Sequence, residues 1–331
     1  MALVSPDGVV PPNAPRFRFY PAARSIRRGF AATFGVLAGA PFHSLLAAPY
    51  DWRQAIDRAR RDLGTIDATV VLLSRLDPWV RASLPDGLHV LDAIDSLRRS
   101  MEERSREAPA FTNWLWRAEA KRVGRAEADA VEFYDRVVVV SEEDTKELDA
   151  VAISNGVEIA PLGDTSRPYD FAFWGRLAYF ANADAATWLI REIWPLMRAQ
   201  RPHATLLIGG ADAPAAIRAA HGRDGITVRS PVDDITALTR SVKVALFPVR
   251  FGTGQSNKVL EAAEGGCAIV ATKHAMRGLD ALTPHALIAD DAASLARAAV
   301  AAAPDAALRA AVETDYSRTA TLDRLREVLK R

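Results

Sequence analysis

The feature that most constrains the fold is an alternation running the length of the chain: short β-rich apolar runs separated by longer amphipathic stretches. Candidate strands are Arg16–Tyr20, Ala68–Leu73, His89–Ala93 and Arg136–Val140 in the first half. In the second half they are Phe171–Trp174, Thr205–Ile208, Ile226–Arg229, Val242–Phe247, Ala268–Ala271 and Ala286–Ala289. Most are continuously apolar. A strand with one wet face alternates, whereas a strand covered on both faces does not, so these runs predict parallel sheets. Between them lie helical patterns. In Ala185–Arg198, Leu189, Ile193, Leu196 and Met197 recur at helical spacing. Strand and helix in strict turn predict a doubly wound α/β architecture.

A chain of 331 residues, 49% of them hydrophobic, can bury a sizeable core, and its length favours two domains. The best boundary follows the strand–turn Val151–Val157, where Pro161, Gly163, Asp164 and Pro168 cluster. It divides the chain into 1–160 and 161–331, each with its own βα series. Two Rossmann-like doubly wound domains facing a cleft are expected, with ligands at the carboxyl ends of the strands. The first domain reads as incomplete. It shows four strands where about six make a full doubly wound unit, and Met1–Ser5 reads like the tail of an interior strand. The Ala-rich segment Ala292–Ala307 favours helix, and no solenoid repeat is present.

Composition removes several classes of function. Lys and Arg total 42 against 41 Asp and Glu, a net charge of +1, which lacks the basic excess of a nucleic-acid binder. The lone Cys267 rules out an internal disulfide framework and fits a reducing compartment, hence the cytoplasm. No apolar run reaches the roughly 18–20 residues of a membrane span. Ser5-Pro6-Asp7-Gly8 interrupts any signal-peptide core.

The segment Pro248–Glu261 holds the most chemistry. A buried strand runs into the glycine loop Arg250–Gly254, and a helix then starts with Ser256 as its better N-cap. Val259, Leu260, Ala262 and Ala263 continue that helix, and Gly265-Gly266 ends it. Glycines before a helix let the backbone approach a ligand, and the free N–H groups point at an anion. Lys258 and Glu261, three apart, share a face. A phosphate at the helix start would meet Lys258, and a ribose diol would donate to Glu261. A plain strand–loop–helix with a tight turn fits the same spacing. Neither a P-loop nor the Rossmann dinucleotide fingerprint is present. A second element, Phe173-Trp174-Gly175-Arg176-Leu177, ends a strand with an arginine suited to phosphate; an isolated surface arginine reads the same way.

Taken together these segments resemble glycosyltransferase family 4, nucleotide-sugar enzymes of the GT-B fold. The resemblance rests on Ile153–Glu158, Phe173–Leu177, Thr205–Gly210, and Gly252–Glu261 followed by Gly265–Thr272. Asn182-Ala183-Asp184 with Trp188, and the run Gly252–Ala262, look closest to bacterial exopolysaccharide transferases. The likeness covers residues 130–331 well, 85–130 moderately, and the region before that weakly. It implies a hexosyltransferase moving a sugar from a UDP- or GDP-sugar to a glycan or lipid-linked acceptor in cell-surface polysaccharide biosynthesis, with retention of configuration. No cofactor beyond that donor substrate is implied.

The resemblance also implies roles. Glu261 would hold the ribose. Gly175, Arg250, Gly252, Thr253 and Gly254 would contact diphosphate and sugar. Ser230-Pro231-Val232 would line the base. Arg176 and Lys258 would neutralise the leaving diphosphate. On the acceptor side, Asp92, read as catalytic, and Asp95 follow a strand that would turn them to the cleft; surface or helix-capping aspartates explain them equally well. Three departures stand out. The first of the family's two glutamates falls on Thr253, eight positions before Glu261. The usual lysine after Gly-Arg is missing from Ala178–Ala181, and Lys258 is its candidate replacement. The family's opening strand and glycine loop, ~40 residues, have no counterpart. The alternative function is a non-catalytic nucleotide-sugar-binding or partner subunit.

Asp233-Asp234 and Asp290-Asp291 resemble metal-binding pairs, but both precede helices and capping explains them more simply. No metal is expected, since His203, His221, His274 and His285 lack ligand spacing and His43 and His89 are isolated. Cys267 reads as a packed small residue. Two basic, apolar stretches suit either an anionic membrane surface at the inner face of the plasma membrane or packing on their own domain. One holds Arg24, Arg27, Arg28, Phe30, Phe34, Val36 and Leu37; the other holds Trp114, Trp116, Lys121 and Arg122.

Overall fold

A computed structural model describes residues 2–6, 18–25, 40–163, 166–252 and 254–330. Thr253 and the stretch containing Arg27, Arg28, Phe30, Phe34, Val36 and Leu37 lie outside the described residues. The strands in chain order are β1 (Ala2–Pro6), β2 (Arg18–Ala22), β3 (Ala68–Leu72), β4 (Leu88–Ile94), β5 (Arg136–Val139) and β6 (Val151–Ala152). They continue with β7 (Tyr169–Trp174), β8 (Leu206–Gly209), β9 (Ile226–Arg229), β10 (Val242–Phe247), β11 (Ala268–Ala271) and β12 (Leu287–Ile288). Every strand expected from the apolar runs is present within a residue or two. Of the stretch read as the tail of a strand, Ala2–Ser5 lies in β1.

The chain divides into two compact units, residues 1–152 with 327–331, and residues 153–326. The second unit is one six-stranded sheet, all parallel, in the order β12-β11-β10-β7-β8-β9. Its inner strands are the continuously apolar ones for the reason the sequence suggested: Phe171–Trp174, Leu206–Gly209 and Ala268–Ala271 are buried throughout. The order reverses between β7 and β10. Chains leaving these two neighbours run to opposite sides, which opens a crevice at their carboxyl ends.

The helix expected over Ala185–Arg198 begins earlier, at Phe180. It passes through a π-helical turn, Leu189–Ile193, into Trp194–Gln200. Leu189, Ile193 and Met197 are fully buried, but Leu196 is 41% exposed. The i→i+5 turn takes up an extra residue and carries Met197, not Leu196, to the packed face.

The first unit has a four-stranded parallel sheet, β3-β4-β5-β6, and a two-stranded parallel sheet, β1-β2. Trp52 and Ile56 from the helix Trp52–Leu63 pack with Val71, Leu91, Val137 and Val139. A helical hairpin, Leu97–Glu107 and Ala110–Phe133, completes it. The segment Ile153–Val157 packs within the second unit. Thr321 Oγ1 donates to the Ser154 carbonyl at 3.1 Å, and Val157 bridges to Ser317.

Candidate functional site

The crevice at the β7/β10 reversal holds a cavity of about 520 Å³. Its floor is built from the last residue of β7. The Trp174 indole, buried against Phe247 in an edge-on contact of 5.1 Å, donates to Glu261 Oε2 at 2.9 Å. Glu261 sits on the helix Asn257–Glu264 that follows β10. A tryptophan N–H has one direction of donation, so the contact fixes the carboxylate's rotamer at the cavity wall.

After Trp174 the chain must pass very close to the turn that follows β8. A Cβ at Gly210 would stand 1.7 Å from the Gly175 carbonyl oxygen, and Gly210 has φ 143°. No other residue fits there. On the far side of the cavity Gly252 has φ 116°, and its carbonyl accepts from His274 Nε2 at 2.8 Å. The glycines thus bring three backbone turns to the cavity wall.

Lys258 is folded into this wall. Its ammonium donates to Asn182 Oδ1 and lies 5.4 Å from the centre of the Phe173 ring. Asn182 Nδ2 in turn donates to the Arg176 carbonyl at 3.0 Å, which fixes the amide's orientation. Burial pushes the Lys258 ammonium down to about 8, against the opposing pull of Glu261. A desolvated cation with one neutral partner retains capacity for an anion.

Ser256 occupies the N-cap position by backbone conformation but makes no capping hydrogen bond. Its Oγ is enclosed and has no hydrogen-bond partner within the protein, although Ser256 lines the cavity. A buried hydroxyl left so costs about 1–3 kcal/mol. The expected side-chain cap is therefore absent. The reason is that Gln255, not Ser256, anchors the loop: its Oε1 accepts from Asn155 N–H and its Nε2 donates to the Gly278 carbonyl, each at 2.7 Å.

The residues singled out in the sequence fare differently. Gly175, Arg176, Gly252, Gly254, Lys258, Glu261 and Val232 all line the cavity. Arg176 does so from solvent, its side chain 73% exposed and paired with Asp212 at 3.2 Å. Arg250 does not line it. Its guanidinium forms a two-point pair with Asp184, at 3.0 and 2.6 Å, and lies 4.7 Å over the Trp188 ring. Ser230 is exposed, and its Oγ accepts from Ala213 N–H at 3.2 Å. Asp92 belongs to the first unit and lies within β4, not after it. Its Oδ1 accepts from Ile94 N–H at 3.2 Å across a β-bulge, and burial raises its pKa.

Asn182, Tyr179, Gln255 and His274 line the cavity without having been assigned to it. The signal for Asn182 was present in Asn182-Ala183-Asp184 and Trp188. In the fold this motif braces two cations of the loop and helix after β10, with Asn182 on Lys258 and with Asp184 and Trp188 on Arg250. The acidic pairs behave as caps. Asp234 accepts from Ala237 N–H and Asp291 from Ser294 N–H. Cys267 is buried, and that burial pushes its thiol up to about 12. Among the described residues no group of three or more His, Cys, Asp or Glu side chains is placed to hold a metal ion.

Residues 168–305 match the protein family described as glycosyl transferases group 1. Among solved structures, the UDP-forming alpha,alpha-trehalose-phosphate synthase of Burkholderia xenovorans is similar over 99% of this chain and 93% of its own, at 13% identity and TM-score 0.64. TarM of S. aureus, crystallised with fondaparinux, alpha-GlcNAc-glycerol and UDP, is similar over 85% of this chain at 13% identity and TM-score 0.63. This chain spans 59% of TarM. Anabaena HepE, in complex with UDP-glucose, is similar over 94% of this chain and 85% of its own, at 14% identity and TM-score 0.59. No curated protein matches in sequence. The fold is GT-B, with two Rossmann-like parallel-sheet units.

Proposed function

We propose that the chain is a glycosyltransferase that moves a sugar from a nucleoside-diphosphate sugar to a glycan or lipid-linked acceptor. In this reading it resembles family 4, works with retention of configuration, and serves cell-surface polysaccharide biosynthesis from the cytoplasmic side. The second unit, residues 153–326, forms the donor-binding domain, and the first unit forms the acceptor side. One observation carries the donor reading. A carboxylate fixed by Trp174 sits one turn inside a helix whose start has no side-chain cap, with a buried ammonium between them. Glu261 accepts from the ribose diol. The diphosphate lies against the helix start, Ser256 Oγ and Lys258, with Arg176 reaching it from solvent. Gly175, Gly252 and Gly254 border the diphosphate and sugar, Val232 and Ser230 the base, and Arg250 holds the loop in shape. The solved structures containing UDP or UDP-glucose support a UDP-sugar donor, with a GDP-sugar as the competing donor.

In transfer, the acceptor hydroxyl oxygen forms a bond to the sugar's anomeric carbon as the bond from that carbon to the phosphate oxygen breaks, and the hydroxyl proton is given up to water. The nucleoside diphosphate leaves with the extra negative charge. Lys258 and Arg176 meet charge that grows as that bond breaks, so they raise rate as well as affinity. Asp92 is assigned to the acceptor side. Incubation of the purified chain with UDP- and GDP-sugars, with and without glycan and lipid-linked acceptors, is expected to release nucleoside diphosphate. Binding of the nucleotides without any turnover would instead identify a non-catalytic nucleotide-sugar-binding subunit.

A further inference from the structure

The first unit carries an apolar surface that the donor site does not use. It is the tip of the helical hairpin and the first turns of the helix Ala110–Phe133. Phe111 is 78% exposed, Trp114 64% and Leu115 46%. Their spacing of three and four puts them on one face of the helix, beside the exposed Pro109 and Ala110 of the turn. Such a concentration of bare aromatic surface is unusual on a soluble domain.

Most of the charge around it is basic. Arg106, Arg117, Lys121 and Arg125 are exposed. Between Ala110 and Ala126 the helix has a single acid, Glu119. Its side chain is only 1% exposed and is paired with His43 Nδ1 at 2.9 Å on the packed side. On the hairpin's first helix, Glu102 is paired with Arg98 and Glu103 with Arg99. Trp116 lies under the Arg104 guanidinium, 5.1 Å away.

We propose that this hairpin tip docks the protein on an anionic lipid bilayer. Phe111, Trp114 and Leu115 enter the interface between headgroups and acyl chains, while Arg106, Arg117, Lys121 and Arg125 meet lipid phosphates. An aromatic and leucine cluster backed by basic residues matches what an interfacial helix needs, and the charge selects an anionic surface over a neutral one. The argument is independent of the donor site.

The full chain is tested by flotation with vesicles of phosphatidylcholine alone or mixed with phosphatidylglycerol. Binding is expected only with the anionic lipid and is weakened by added salt. The double variant Phe111→Ser, Trp114→Ser is expected to lower partitioning roughly tenfold or more, and Lys121→Glu with Arg125→Glu to abolish the anionic preference. All four side chains are exposed, so circular dichroism and Tm should be unchanged. No binding, equal binding to neutral vesicles, or binding unaffected by the serine variant would overturn the proposal. So would concentration-dependent self-association lost in that variant, which would give the surface to a second copy of the chain.

Discussion

Lys258 is the residue whose chemistry is most sensitive to its surroundings. Burial holds its pKa at about 8, below the ordinary lysine value of 10.5. The ammonium is therefore complete below that pH and is lost as pH rises through it, while a nucleotide's terminal phosphate is already ionised by about pH 7. UDP affinity is expected to be level up to pH 7 and to fall between about 8 and 9, as measured by titration calorimetry. Lys258→Met should weaken binding by about 1.5–3 kcal/mol and remove that fall. The unliganded protein is expected to have the opposite slope from this residue. The folded state binds fewer protons than the unfolded one between 8 and 10.5, so the lysine's contribution to stability rises with pH across that window. Gly210 is limited by space, not charge. With the Gly175 carbonyl 1.7 Å from the site of a new Cβ, Gly210→Ala is expected to lower stability by at least about 3 kcal/mol, read from thermal unfolding.

At the scale of elements, the helical hairpin of the first unit depends on a carboxylate from one helix capping the other. Glu127 accepts from Leu97 N–H at 2.6 Å and from Arg98 N–H and Ser96 Oγ at longer range. Burial nevertheless raises its pKa from 4.5 to about 7. The folded state binds more protons than the unfolded one between those values, so Glu127 lowers stability as pH rises from 4.5 to 7. Glu127→Gln keeps an acceptor for Leu97 and should flatten that part of the Tm profile, gaining most at pH 7–8. In the second unit, Asp184 couples the helix after β7 to the loop after β10. Asp184→Ala is expected to free Arg250 and raise the donor KM several-fold while leaving Tm nearly unchanged, because the pair is partly exposed. The elements themselves were legible because buried parallel strands are written as unbroken apolar runs. What was not legible is the phase of the helix after β7, since the π turn that buries Met197 and exposes Leu196 leaves no mark in a periodicity.

For the whole molecule, the doubly wound architecture and the glycine loop after β10 could be read from order and spacing, as could Lys258 and Glu261 on one helix face. The brace between Asp184 and Arg250 could not. It joins residues 66 positions apart, and only the paths of two loops across the β7/β10 reversal bring them together. Sequence therefore assigned Arg250 to a ligand, whereas the fold gives it a protein partner. The same limit applies to Trp174, whose indole could not be seen to reach Glu261 until β7 and the helix after β10 were placed side by side. That contact is what makes Glu261 a fixed acceptor, and it is the centre of the account. Titration of the full chain with UDP and with GDP at pH 7, repeated with Glu261→Ala, tests it directly. Binding of one nucleotide per chain is expected, weakened roughly 10- to 150-fold by the substitution. Failure of both nucleotides to bind, or an unchanged affinity in Glu261→Ala, would contradict it.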